Sequence, residues 1–394
     1  MVPQGYKQTE VGIIPDDWSI MQLGDIGTFS KGSGISKDES NSGNIPCIRY
    51  GEIYTIHDFY IKKYHSFISE DIAKQSKLLK DGDILFAASG ETKEDIGKCV
   101  AFLSDCKAYA GGDIIILTPK AHSFDSKYLG YILNTSEVAK QKASKGQGDA
   151  VVHITTEALA DLIVPIPPTI EEQRRIAEVL SDVDGLITAL DKKIAKKKLI
   201  KQAAMQQLLT GKKRLQGFTD EWSNRTFQQI FQHISTRGYH IDASEYTSVG
   251  KTPIIDQGKD LIIGYTNKKS FECPHKGVIV FGDHTRIFKY VDFNFCVGAD
   301  GTQVLMCNDG FDTKYIYYIC SSAEIPNTGY NRHFKFLKEY EFFISPNIEE
   351  QQAIATILSD MDKEISDLER KRDKYKLLKN GIMQKLLTGK RRLI

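Results

Sequence analysis

"PTIEEQRRIAEVLSD" occupies residues 168–182, and "PNIEEQQAIATILSD" occupies residues 346–360. The offset is 178 residues and holds without a gap to the end of the chain. Met205-Gln206 matches Met383-Gln384, and Leu208-Leu209-Thr210-Gly211-Lys212 matches Leu386-Leu387-Thr388-Gly389-Lys390. A gapless match of this length is one structural element written twice. Both copies read as long helices. Ile354, Leu358, Met361, Ile365 and Leu368 are spaced 4, 3, 4, 3, the seam of a heptad pattern. The first copy repeats it with Ile176, Leu180, Val183, Ile187, Leu190 and Ile194. Thr169 and Asn347 stand as capping residues ahead of paired glutamates, which suit a positive helix N-terminus. A Thr-Gly stop followed by Lys and Arg closes each copy. Thirty-nine residues lie between Glu171 and Leu209 inclusive, a helix of about 58 Å at 1.5 Å per residue. Lys201 and Lys379 both fall on the seam. Such a residue either fixes register and partner or marks a place where the seam opens, and the spacing leaves both readings standing.

Two such helices cover each other if they pack antiparallel. The chain then reads as globule, helix, globule, helix, with approximate two-fold symmetry. The globules repeat more faintly. Asp17-Trp18-Ser19 returns as Glu221-Trp222-Ser223, and Phe124-Asp125-Ser126-Lys127-Tyr128 returns as Phe311-Asp312-Thr313-Lys314-Tyr315. Each block then runs through a polar loop to a histidine, His153 or His333, which are taken as corresponding positions. A short helix and an apolar strand follow, at 162–166 and 342–344. Strands are expected at 82–86, 113–117, 277–281 and 303–306. The block ends are held while the middles diverge, which suits a symmetric frame carrying two different readers.

The chain has 394 residues, 41% hydrophobic and 26% charged, which is ordinary globular composition and implies more than one domain. It shows neither a signal-like start nor a run of about 20 apolar residues, so a cytoplasmic location is expected. The seven cysteines are scattered without a Cys-x-x-Cys pair, so free thiols are expected rather than a zinc site or disulfides. Net charge is +1, but it divides unevenly. Residues 1–170 carry −5, 171–216 carry +5, 217–347 carry −2 and 348–394 carry +3.

The doubled I-E-E-Q…L-S-D…M-Q-x-L-L-T-G-K helix, the opening GYKQTEVGIIPDDW, and residues 277–305 with their FGDHTR and VGADGTQVL runs carry a resemblance over the whole chain. The sequence resembles the specificity subunit of a type I restriction–modification system. The resemblance implies an α+β fold in which two pseudo-symmetric α/β target-recognition domains are separated by an antiparallel coiled coil of two long helices. The implied divisions are target-recognition domain 1 over 1–167, helical spacer 1 over 168–215, target-recognition domain 2 over 216–345 and helical spacer 2 over 346–394. It implies a non-catalytic subunit that reads an asymmetric bipartite site on double-stranded DNA as part of phage defence. Its implied partners are two adenine methyltransferase subunits and two ATP-dependent restriction subunits. S-adenosylmethionine, ATP and Mg then belong to those partners, with no cofactor or metal held by this chain.

Donors on loops are the chemical candidates for reading bases. In the first globule these are Thr92 and Lys93 in SGETKED, with Lys142, Lys145 and Gln147 in ASKGQGD. In the second they are His284, Thr285 and Arg286, then Tyr330, Asn331, Arg332 and His333. For His153 and His333 the competing reading is a structural histidine that anchors the following helix. Both globules are net acidic, which is unusual for a DNA reader. Lys192, Lys193, Lys196, Lys197, Lys198 and Lys201 on the first helix either face DNA or form a solvated face. The apolar Met205/Leu208/Leu209 and Met383/Leu386/Leu387 clusters serve either a partner or internal packing.

Two other classes compete. Asp83 with Glu91, Thr92 and Lys93 has the residue order of a metal-dependent nuclease. The motif is short and has no counterpart in the second globule. Neither an N/D-P-P-Y/F methyltransferase motif nor a G-x-x-x-x-G-K-S/T phosphate loop occurs. A coiled-coil scaffold without sequence readout would explain the helices but not the two elaborate globules.

Overall fold

The structure is a computed structural model and describes every residue except 1, 149, 237, 274–276, 299, 330 and 394. Two helices of 39 residues each dominate it, Ile170–Leu208 and Ile348–Leu386. Thr169 Oγ1 accepts the amide of Glu172 at 3.2 Å, and Asn347 Oδ1 accepts those of Glu349 and Glu350 at 2.9 and 3.2 Å. Both helices therefore start where the capping residues direct. They stop at Gly211 and Gly389, each with φ +68°, a conformation that favours glycine.

The chain forms two compact units. One comprises Met1–Ala189 and Arg372–Ile394; the other comprises Leu190–Lys371. Each unit holds the start of one long helix beside the end of the other, so the pair runs antiparallel. In the first unit, Ile176, Ala177 and Leu180 share a buried core with Leu386 and Leu387. In the second, Ile354, Ala355 and Leu358 share one with Leu208 and Leu209. The seam residues Val183, Ile194 and Ile365 are also buried, whereas Ile187, Leu190, Met361 and Leu368 are half-buried. The leucine clusters near the helix ends thus serve internal packing.

The first unit is built on a four-stranded antiparallel sheet in the order Cys99–Ala101, Ile84–Ala87, Ile114–Pro119, Gly27–Lys31. Its strands alternate as a pleat buried on both faces must. Ile84, Phe86, Ile115 and Leu117 face the core shared with the helices, while Leu85, Ala87, Ile114 and Ile116 face a second core. Beyond that core lies a smaller sheet in which Ile45–Ile48 runs parallel to Tyr109–Ala110. The strand Ile163–Ile166 pairs with Ser19–Gln22 and leads into the first long helix.

The second unit repeats this plan. Its main sheet has the order Phe288–Val291, Val278–Gly282, Thr302–Cys307, Phe231–His233. Its smaller sheet has Thr252–Ile255 parallel to Cys296–Val297, and Glu341–Ile344 pairs with Ser223–Thr226 before the second long helix. Two sheets of equal topology grow from sequences that align only at their edges.

The doubled motif residues join helix to globule in the same way twice. Arg214 binds Glu350 through two hydrogen bonds of 2.7 and 2.9 Å, and Trp222 Nε1 donates to the same carboxylate at 3.0 Å. Arg392, its equivalent 178 residues on, binds Glu172 at 2.5 and 2.8 Å and Asp17 at 2.8 and 3.0 Å. The next residue of the motif, Gln173 or Gln351, accepts the amide of Asp125 at 2.9 Å or Asp312 at 2.8 Å. Those aspartates cap the helices that begin with the repeated Tyr128 and Tyr315 segments.

The seam lysines fix register. Lys379 meets Asp184 at 2.5 Å, and Tyr131 donates its hydroxyl to the same aspartate at 2.7 Å. Lys201 meets Asp362 at 2.5 Å, with Tyr318 donating at 2.7 Å. These two triads are images of each other under the repeat, so the seam does not open at these lysines.

Candidate nucleic-acid interface

The strand Ile84–Ala87 is continued by Ser89–Gly90, which pairs antiparallel with Val152–His153. Ser89 Oγ lies 2.9 Å from His153 Nδ1, and Gln147 and His153 exchange backbone hydrogen bonds of 2.9 and 2.7 Å. The amide of Ala88 donates to Asp113 at 2.8 Å, and that of Gly111 donates to Ile48 at 2.9 Å. Lys98 Nζ donates to the Tyr54 carbonyl at 3.2 Å. Four segments therefore meet at one end of the sheets, around residues 49–54, 88–98, 111–113 and 147–153. The sequence candidates Thr92, Lys93 and Gln147 lie on them and are exposed. Lys145 is half-buried and pairs with Asp161 at 3.0 Å.

Lys142 departs from expectation. It is 2% exposed, and its Nζ donates to the Gly97 carbonyl at 2.8 Å. Burial pushes its ammonium below the ordinary lysine value. Lys142 ties the helix Ser136–Lys145 to the turn at Gly97 from inside, where DNA has no access.

The second unit gathers its own four segments in the same places. The amide of Asp283 donates to Gly301 at 2.8 Å, that of Gly298 to Ile255 at 2.8 Å, and that of His333 to Asp283 at 2.9 Å. Gln257 bridges them: its Nε2 donates to the Asp300 carbonyl at 3.0 Å and its Oε1 accepts the His284 amide at 3.1 Å. Thr285 Oγ1 donates to the Gln257 carbonyl at 2.5 Å. Arg332 pairs with Asp300 at 2.9 Å on the exposed surface. Arg286 has φ +61°, closes the turn by donating its amide to Gly282 at 2.7 Å, and sends its guanidinium to the Ile325 carbonyl at 3.0 Å. The structure thus brings His284, Thr285, Asn331 and Arg332 together, with Arg286 alongside. Tyr330 lies outside the described residues.

His333 is fully buried. Its Nδ1 sits 2.8 Å from the Asp283 carbonyl and its Nε2 accepts the Thr328 amide at 3.3 Å. It is the anchoring histidine of the competing reading. The hydrogen-bond ladder also corrects its alignment. Ile154 donates to Ala88 as His333 donates to Asp283, so the buried Ile154 corresponds to His333 and the exposed His153 to Arg332.

Two further segments of the cluster carry no donor motif in the sequence. Residues 45–51, IPCIRYG, occupy the place of residues 252–258, TPIIDQG, so Tyr50 corresponds to Gln257. Likewise "YAGGD" ending at Asp113 matches "CVGAD" ending at Asp300 at the 187-residue offset that relates Tyr128 to Tyr315. A comparison of the globules with the register allowed to drift would have found both.

Asp83 does not join Glu91. It lies at the opposite end of its strand, 2% exposed, where its carboxylate accepts Thr118 Oγ1 at 2.6 Å and the Lys80 amide at 2.8 Å. Among the described residues no cluster of three His, Cys, Asp or Glu side chains could hold a metal ion. No described helix is long and apolar enough to cross a membrane. All seven cysteines are free thiols.

The family model of the type I restriction modification DNA specificity domain matches residues 15–201 and 219–377. The chain belongs to this family. It is the DNA specificity subunit of a type I restriction–modification system, the non-catalytic part of that complex. The MjaX specificity subunit of Methanocaldococcus jannaschii is 26% identical, with 99% of this chain and 97% of that protein covered. The type I restriction enzyme MjaVIII specificity subunit of the same organism is 23% identical over 99% and 96%. The fold is that of the type I S subunit from M. genitalium, with a TM-score of 0.65, 16% identity, and 94% and 96% of the two chains covered. The two matched stretches of the specificity domain correspond to the two copies of the repeat, each a globule with most of its long helix.

Proposed function

We propose that this specificity subunit reads an asymmetric bipartite target on double-stranded DNA, one half-site through each four-segment cluster. The observation that carries this reading is the pairing of equal sheet topology with unequal loops. The scaffold places four segments at the same sheet end in both units, and those segments present Thr92, Lys93, Gln147 and His153 in one but His284, Thr285, Asn331 and Arg332 in the other. Different donors at equivalent positions read different bases. The division into target-recognition domain 1 (1–167), spacer 1 (168–215), target-recognition domain 2 (216–345) and spacer 2 (346–394) belongs to the same proposal.

Methyl transfer and DNA cleavage come from partner subunits in this proposal. Two adenine methyltransferase subunits use S-adenosylmethionine, one over each half-site, and restriction subunits use ATP and Mg. The two-fold character of the repeat favours two copies of one methyltransferase.

Methylation mapping of DNA from cells expressing the methyltransferase, with and without this chain, tests the proposal. An interrupted, asymmetric motif modified only when the chain is present is the expected result. Identical methylation in both, with the methyltransferase active, rejects it.

A further inference from the structure

The globular segments carry −5 and −2, whereas the helical segments carry +5 and +3. A chain that binds a polyanion therefore has its basic excess on the helices, and that excess is unevenly used. Lys197, Lys198 and Lys201 are engaged across the helix pair with Glu364, Glu369 and Asp362 at 2.7, 2.7 and 2.5 Å. Their charges are already met by carboxylates of the partner helix. Lys192, Lys193, Lys196 and Lys371 are exposed and form no ion pair among the described residues. Arg370 is exposed and pairs with its neighbour Asp367, a surface contact that phosphate can replace.

The Lys201–Asp362 contact shows how these residues lie. Nine residues back along the first helix and nine forward along the second, Lys192 comes level with Lys371, and Lys193 with Arg370. Lys193 precedes the seam residue Ile194 by one position, and Lys371 precedes the equivalent position 372 by one. In an antiparallel pair these positions flank the seam on the same side. Lys196 lies one turn beyond Lys193 on that side, whereas Lys192 and Arg370, each one residue earlier, sit about 100° further round their helices. Lys198 and Glu369 each follow a seam position by one, so they flank the other side, and they do meet there at 2.7 Å. The 178-residue repeat carries Lys192 onto Arg370 and Lys193 onto Lys371. These four residues form one set under the repeat, and Lys196 maps onto Lys374.

We infer that Lys193, Lys196 and Lys371, with Lys192 and Arg370 at the margins, grip the phosphate backbone of the DNA spacer between the two half-sites. This rests on the bipartite reading above. A basic patch that maps onto itself meets the two strands of a duplex equivalently, because the duplex backbone has matching two-fold symmetry. Such contacts position the DNA and carry no sequence information, which suits a spacer of arbitrary sequence.

The test uses the full chain in complex with its methyltransferase subunits. Lys192→Ala, Lys193→Ala, Arg370→Ala and Lys371→Ala are combined; alanine preserves the helix. Affinity for a target duplex is measured across a salt series. The slope of log K against log salt is expected to flatten by about 3, at roughly 0.9 for each phosphate no longer neutralised. Affinity at physiological salt falls at least about tenfold, and the methylated motif stays the same. Neutral methylphosphonate linkages at the centre of the spacer weaken wild-type binding but not that of the variant. An unchanged salt slope, or equal sensitivity of both proteins to the methylphosphonates, overturns the inference. So does a variant that sheds its methyltransferase while the salt slope is kept, since the patch is then a protein interface. If the wild type modifies no interrupted motif, the bipartite reading fails instead, and the slope comparison on any duplex still decides the phosphate contacts.

Discussion

Lys379 and Lys201 are the same residue in the repeat, yet their surroundings differ. The side chains of Lys379 and Asp184 are 11% and 8% exposed, and the ammonium lies 3.9 Å from the centre of the Phe59 ring. Those of Lys201 and Asp362 are 20% and 43% exposed. Removing one partner of a buried pair leaves an uncompensated charge. Lys379→Ala is therefore expected to cost about 3 kcal/mol, and Lys201→Ala about 1 kcal/mol or less. Denaturant unfolding of the two variants checks the order; equal losses would mean that burial does not govern these pairs. Glu350 is the second test at this scale. Burial pushes its carboxyl up, but the hydrogen bonds from Arg214, Ser345 and Trp222 outweigh that and hold it below the ordinary carboxylate value. A depressed carboxylate contributes stability above its unfolded value and loses it as pH falls through the folded one. Wild-type thermal stability should thus drop more steeply in the acid range than that of Glu350→Gln, and parallel curves would contradict the assignment.

At the scale of elements, the long helices were legible because their pattern is local. Heptad spacing, caps and glycine stops all act within a few residues, and all appear where the sequence places them. The globules were less legible. Their edges repeat, and the strands at 84–87 and 302–307 were readable from apolar runs. The candidate site was only partly visible because it is assembled from four distant segments, and donor chemistry alone does not report burial. Lys142 and Gln147 look alike as candidates in ASKGQGD, yet one lies inside the domain and the other on its surface. Gln257 was missed because its role is to hold His284 and Asp300 in place. The helices themselves carry a prediction. Inserting four residues near the middle of both lengthens each by about 6 Å, close to two base pairs of DNA. The methylated motif should keep both half-sites and gain a longer spacer. An unchanged spacer would separate helix length from half-site spacing.

For the whole molecule, unequal loops on equal frames put the residues of the proposed readout and those of the architecture in different places. The joints that attach each globule are the same twice: Arg392 to Glu172 and Asp17, and Arg214 to Glu350. None of these residues lies on the four-segment clusters, so a globule can change its loops without disturbing its joints. Exchanging residues 223–344 for the corresponding segment of another specificity subunit leaves Arg214, Trp222 and Glu350 in place. The hybrid should still assemble with the methyltransferase, because the helices and the Arg214–Glu350 joint are untouched and the donor segment brings its own counterparts of Asp312 and Tyr318. Its methylated motif should keep the half-site read by the first unit and take the other half-site from the donor. Methylation mapping of the hybrid beside both parents decides this. A motif changed in both halves would show that the two clusters do not read independently. An unchanged motif would show that residues 223–344 read nothing.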